Sequence, residues 1–283
     1  MSKELDQIIP PGQKDVSYSN YLKISELLNL QHPLSLPQEH DEMLFIIIHQ
    51  VYELWFKQIH HELTDSVRHL NQDELLGFLR KLNRVAAIQD ILIKQVDVIE
   101  TMTPVDFNLF RNKLNPASGF QSYQFRLLEF RLGQRDSQYL KFYRAQAEEH
   151  QILREALAMP SLHDVFLNYL NRNGYQIPKE VLERDVEKSY LGDERITLIY
   201  KSIYDAPQKN YDLYMTLEGL LGFDEKIMLW RYRHVAMVER MIGNRMGTGG
   251  SSGVAYLSST LSKKFFPDIW AVRNLMHNSG SGY

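Results

Sequence analysis

Residues 226–253 read KIMLWRYRHVAMVERMIGNRMGTGGSSG. Ile227, Trp230, His234, Val238, Met241 and Ile242 recur at three- and four-residue spacing, which sets them on one face of an α-helix. Lys226, Arg231, Arg233, Glu239 and Arg240 fall mostly to its sides. His234 therefore lies in an apolar stripe, one turn after Trp230 and one turn before Val238. After Gly243 the periodicity stops. GTGGSSG (247–253) is too rich in glycine for regular structure and is well supplied with N–H and hydroxyl donors. Taken alone, a histidine in such a stripe is either a hydrogen-bonded core residue or a metal ligand.

The same helical period extends through most of the chain. Residues 39–72 predict a long helix with a stripe through Leu44, Ile47, Ile48, Val51, Leu54, Trp55, Ile59, Leu63, Val67 and Leu70. Phe45 and His49 share a second line on it, continued by Tyr52 and Phe56. His60, His61 and His69 fall toward its polar end and are expected to be solvated. Residues 73–100 repeat the pattern through Leu76, Leu79, Leu82, Ala86, Leu92, Val96 and Ile99. Thr103-Pro104-Val105-Asp106 is a helix start, with an N-cap, a proline at the first position and an acid at the third. The helix it opens puts Phe107 and Arg111 four apart; Arg111 is read either as a surface arginine with a packed stem or as a site residue. Further helices are predicted over 120–133, 136–158, 161–173, 194–204, 208–221, 224–242, 254–264 and 268–277, with another opening at Pro178. Residues 17–31 form a short amphipathic helix carrying Tyr18, Tyr21 and Leu22, an arm for a partner subunit or for the chain's own core. Residues 1–16 are expected to be a flexible tail and 17–283 one all-α domain, the short helices beyond 160 forming a subsidiary lobe.

Composition narrows the function classes. Hydrophobic content of 44% and charged content of 24% over 283 residues suit a globular protein with a large core. A net charge of −3 gives no reason to expect nucleic acid or a membrane surface as partner. The longest apolar run, MLFIII (43–48), is too short to span a bilayer. With no cysteine, disulfides, iron–sulfur clusters and covalent c-type haem attachment are excluded. That absence, and an N-terminus lacking an apolar signal region, fit the cytoplasm as the expected compartment.

Motif searches remove several chemistries. No G-x-G-x-x-G follows a strand, and P-loop, G-x-S-x-G and H-E-x-x-H patterns are missing. A di-iron carboxylate bundle needs Glu-x-x-His, and none of the ten histidines has Glu three residues before it. Non-covalent haem remains open: it needs an axial histidine, an apolar slot and cations for its carboxylates. His234 offers the first; Arg231, Arg233, Arg240 and Arg245 are candidates for the last.

Four segments carry a family resemblance: HDEMLFIIIHQVYELWFKQIHHEL (40–63), DFNLFRNKLNPASGFQSYQFRLLEF (106–130), LWRYRH (229–234) and GTGGSSGV (247–254). Together they closely resemble the tryptophan 2,3-dioxygenase family, in order and spacing, from about Tyr18 to Arg273. The resemblance implies an all-α helical haem-dioxygenase fold, a helix bundle around a haem pocket with an N-terminal arm helix. It implies a homotetramer that binds haem b and uses O2 to convert L-tryptophan to N-formyl-L-kynurenine, the first step of tryptophan breakdown. By the same resemblance His234 is the axial iron ligand. Phe45 lies against the indole, within a substrate-binding run that includes Ile46, Ile47 and Ile48, and His49 accepts the indole N–H. Arg111 pairs with the substrate carboxylate, and Thr248 contacts its carboxylate and ammonium ends. Ser118 and Gly119 form a loop over the distal face. Tyr18, Tyr21 and Leu22 reach into a neighbouring subunit's site. Phe107 matches a position that is Tyr in some relatives. The remaining alternatives are an indoleamine-type dioxygenase of broader substrate range, against which His49 and Arg111 argue, and a haem-binding sensor without turnover.

Overall fold

A computed structural model describes residues 16–249 and 253–276. The expected tail at 1–16 therefore lies outside the described residues except for Val16, as do 250–252 of the glycine-rich loop and 277–283. In chain order the helices are α1 (Tyr18–Leu22), α2 (Ile24–Leu27), α3 (His40–Asn71), α4 (Leu75–Ile99), α5 (Pro104–Phe110), α6 (Tyr123–Arg131) and α7 (Ala147–Ala158). They continue as α8 (Leu162–Arg172), α9 (Lys179–Leu182), α10 (Glu194–Asp205), α11 (Tyr211–Ile242), α12 (Val254–Ser259) and α13 (Pro267–Val272). Four short 3-10 turns accompany them, two between α5 and α6, one between α6 and α7 and one after α13, and the described residues contain no strand.

Three long helices frame the molecule: α4 packs along α3 on one side and α11 on the other. The close approach of α4 and α11 is set at Gly219, where a Cβ would stand 2.8 Å from a Leu82 methyl. One apolar cluster joins Ile59, Phe78, Leu82 and Leu220 to Phe166, Tyr200, Ile203 and Phe266. The helices beyond residue 160 thus contribute to the same core as the long helices, and no separate lobe forms around them.

Several boundaries differ from the sequence expectation, each for a local reason. α11 is continuous, where the period suggested one helix ending at 221 and another starting at 224. Burial of Leu220, Phe223 and Ile227 carries it through Gly222, against the roughly 1 kcal/mol that a mid-helix glycine costs. The segment 136–158 splits into a 3-10 turn, Ser137–Tyr143, capped by Asp136, and α7. The arm is two short helices, because Lys23 between them is left-handed at φ 55°. On α3 the buried face is rotated: Ile47 and Leu54 are exposed while Phe56, His60 and Ser66 are buried. His60 is thus not solvated; its Nε2 pairs with the Gln124 carbonyl at 2.9 Å. On α4, Leu76 faces solvent and Leu75 and Phe78 face the core.

Candidate active site

Helix α3 brings two rings to one cavity. Phe45 and His49, one turn apart, have centroids 4.1 Å from each other. Phe107 and Phe110 of α5 close on Phe45 at 5.8 and 5.7 Å. Their placement follows from the start of α5, where Thr103 and Asp106 form a reciprocal capping box and Pro104 takes the first turn. His49 Nδ1 lies 2.6 Å from the Phe45 carbonyl, which can only accept, so Nδ1 is the donor. Nε2 is left as an acceptor. Burial holds the pKa of His49 below its ordinary value, although the Phe45 carbonyl and Glu53 pull the other way. The ring is therefore a neutral acceptor at physiological pH.

His234 borders the same cavity from α11. Trp230 stacks on it, with centroids 5.4 Å apart and planes 4° from parallel. Burial pushes its pKa down to about 4, nearby His49 adds to the effect, and no hydrogen bond contributes. A neutral imidazole with a free lone pair is the state that ligates a metal. Among the described residues no cluster of three His, Cys, Asp or Glu side chains could hold an ion.

The cavity encloses about 910 Å³ of atom-free space, part of it open to solvent. Met237, Val238, Met241 and Ile242 from α11 give it an apolar floor, and Leu257 of α12 adds to it. A second space of about 490 Å³ continues along α11 past Trp230 and shares His234, Tyr256 and Leu257 with the first. Among the described residues His234 makes no hydrogen bond to protein, and with the apolar slot it borders this fits a haem.

Two loops close the mouth. Arg111, at the end of α5, donates from Nη2 to the Met246 carbonyl at 2.5 Å. Thr248 donates its hydroxyl to the Ala117 carbonyl at 2.6 Å. Ser118 caps the 3-10 turn Gly119–Gln121 and packs so near Gly249 that a Cβ there would lie 2.6 Å from its own. Phe45, His49, Phe107, Arg111, Ser118, Gly119, His234 and Thr248 thus line one cavity. Ile48 packs in the core beside it with Ile99 and Met102. Ile46 and Ile47 are not among its lining residues, because the helical period turns them off the face that carries Phe45 and His49. Tyr18, Tyr21 and Leu22 stand away from this chain's own cavity and are 76%, 78% and 42% exposed.

Sequence reasoning missed Met102, Phe120, Tyr256 and Leu257, all of which line the cavity. Phe120 and Tyr256 could have been suspected as aromatics beside the Ser118 and glycine-rich loops; Met102 carried no signal. Of the four arginines considered for carboxylates, Arg233 is paired with Asp97 and Glu100, and Arg245 with Asn108 and the Ile242 carbonyl. Arg240 is exposed. Arg231 alone is buried against the slot.

The family model described as tryptophan 2,3-dioxygenase matches residues 10–180 and 194–276. The chain belongs to the tryptophan 2,3-dioxygenase family. It is 49% identical to the tryptophan 2,3-dioxygenase of Herpetosiphon aurantiacus over 258 residues, 91% of this chain and 97% of that one. The enzyme of Serratia proteamaculans is 43% identical over 96% of this chain and 97% of its own length. That of Kineococcus radiotolerans is 43% identical over 94% and 93%. The family matches include every segment from which the cavity is built. No helix of the described residues is long and apolar enough to cross a membrane.

Proposed function

We propose that this chain is a haem-dependent dioxygenase that opens the indole ring of L-tryptophan with O2 to give N-formyl-L-kynurenine. The observation that carries the reading is the meeting of four groups at one cavity: His234, the Phe45–His49 pair, Arg111 and the Thr248 loop. Family membership adds the reaction. One haem b per chain would be held through His234 and would supply the dioxygen chemistry at the indole 2,3 double bond.

The protein's own groups orient the substrate. Phe45 and Phe107 offer apolar faces to the indole. His49 Nε2, with its tautomer fixed by the Phe45 carbonyl, accepts the indole N–H and holds the ring in register. It remains neutral and withdraws no proton in the resting enzyme. Arg111 exchanges the Met246 carbonyl for the substrate carboxylate, a charged fork-to-fork pair in place of a single neutral acceptor. Thr248 turns from the Ala117 carbonyl to the amino-acid end. Both exchanges loosen and then reseat the 243–249 segment, so binding and loop closure are one event. Tyr18, Tyr21 and Leu22 complete the mouth of a neighbouring chain's cavity in a homotetramer, which accounts for their exposure in a single chain.

The test is direct. Reduced, haem-loaded protein mixed aerobically with L-tryptophan should develop the absorbance of N-formylkynurenine. A haem-loaded protein that binds tryptophan and forms no product would instead be a sensor.

A further inference from the structure

We propose that Glu42 is a positioning residue for the reaction: it anchors the strap 30–39 and so sets the direction in which the arm carrying Tyr18, Tyr21 and Leu22 leaves the body of the chain. This rests on the reading above, in which that arm completes a neighbouring chain's cavity, and adds a residue that lies outside the cavity itself.

The arm does not hold itself in place. No residue of α1 or α2 is buried, so apolar packing on the chain's own core does not fix them. Leu28, Leu30, Leu34 and Leu36, which lead from the arm toward α3, are exposed as well. Among the described residues, hydrogen bonds join this segment to the body at two places, Gln50 and the first turn of α3. Gln50 Nε2 donates to the Leu30 carbonyl at 3.0 Å, and its Oε1 accepts from Gln31 Nε2 at 2.6 Å. The Glu42 carboxylate accepts from the Leu34 N–H at 2.7 Å, from the Ser35 N–H at 3.0 Å and from the Ser35 hydroxyl. That hydroxyl in turn accepts from the Glu39 N–H at 2.9 Å, at a helix start where Glu39 supplies no side-chain cap.

Two anchors do what one does not. Glu42 and Gln50 stand eight residues apart on α3, about 12 Å along the helix axis. A strap held at both runs along α3 in a fixed direction, whereas a strap held at one point swivels. The two anchors are unequal. Gln50 pairs with neutral groups and its bond to Leu30 is open to solvent. Glu42 is 1% exposed, and its bonds are charge-assisted and shielded from water. Without that carboxylate the Ser35 N–H and hydroxyl, themselves buried, lose their acceptor, a loss that costs more than an exposed bond. Glu42 also lies three residues before Phe45. The turn that opens onto the chain's own cavity therefore also roots the arm bound for the next one.

The experiment measures kcat and KM for L-tryptophan in haem-loaded wild type, Glu42→Gln and Ser35→Ala, each also combined with Tyr18→Ala and Tyr21→Ala. Glutamine keeps the size of the side chain and turns one acceptor oxygen into a donor. Misplaced arms leave a smaller fraction of sites competent, which raises the apparent KM. We expect KM to rise roughly tenfold in Glu42→Gln, the scale of one charge-assisted hydrogen bond, and less in Ser35→Ala, with kcat within about twofold of wild type. Where the arm tyrosines are already replaced, neither substitution should raise KM further. A rise that persists there, or a fall in kcat instead, would mean that Glu42 acts through α3 and its own Phe45; an unchanged KM in Glu42→Gln would remove the anchor. Either overturns the proposal. Should Glu42→Gln fail to fold by circular dichroism, Ser35→Ala on the strap itself carries the same test. If Tyr18→Ala with Tyr21→Ala leaves KM unchanged by itself, the arm reading fails and the anchor falls with it.

Discussion

Arg111 donates a 2.5 Å hydrogen bond to the carbonyl of Met246, 135 positions further along the chain. That contact ties the end of α5 to the loop after α11 and holds the guanidinium at the cavity. On the proposed function, a substrate carboxylate would compete with this neutral carbonyl and should win on charge.

Replacing Arg111 with Ala should raise KM for L-tryptophan by about ten- to a hundredfold, from the 1.5–3 kcal/mol of a charge-assisted bond. Haem content should not change. Steady-state kinetics with tryptamine, which lacks the carboxylate, should show little further loss in the variant. An unchanged KM would remove Arg111 from recognition.

Gly249 makes a second prediction. An added Cβ would meet the Cβ of Ser118 at 2.6 Å, so Gly249→Ala should keep the two loops from seating. We expect kcat/KM to fall by roughly tenfold or more, in line with a misplaced positioning loop. Ser118→Gly in the same chain removes the opposing Cβ and should restore part of it. If Gly249→Ala is as active as wild type, the loops do not close as described.

His49 is expected to act as a neutral acceptor rather than a base. Its pKa is lowered by burial, so its protonation should contribute no inflection to kcat/KM near neutral pH. His49→Ala should narrow the preference for L-tryptophan over 1-methyltryptophan, which has no N–H to donate. A preference as large as in wild type would exclude the contact.

Acid stability follows from a histidine outside the site. His163 is 1% exposed and shares a 3.0 Å hydrogen bond with Tyr200. Burial, ahead of the opposing pull of Asp164, pushes its pKa down to about 4 from 6.5. The unfolded chain therefore binds more protons between these values. Stability from this group is complete above pH 6.5 and is lost as pH falls toward 4, on the order of 3 kcal/mol in all. Thermal midpoints should decline across that window, and His163→Gln should show a shallower slope. An identical slope would place the effect elsewhere.

The readable parts of the sequence were those governed by periodicity. Long helices were visible because Ile59, Leu63 and Leu70, or Phe223 and Ile227, repeat at helical spacing with buried faces. The ends were less visible. Lys23 adopts a left-handed turn without glycine, in an arm with no buried residue, and Gly222 fails to stop α11 because the packing of Leu220, Phe223 and Ile227 outweighs local preference there. Around the cavity, residues close in sequence were found as pairs: Phe45 with His49, Phe107 with Arg111. Contacts spanning the chain, such as Arg111 with Met246 or Thr248 with Ala117, leave no trace in spacing.

The account depends most on His234. The decisive measurement is the Soret absorption of protein reconstituted with haem, for wild type, His234→Ala and His49→Ala. Wild type and His49→Ala should bind haem with strong Soret bands, and His234→Ala should lose the band or bind haem far more weakly. Undiminished haem binding with an unaltered spectrum in His234→Ala would contradict the account.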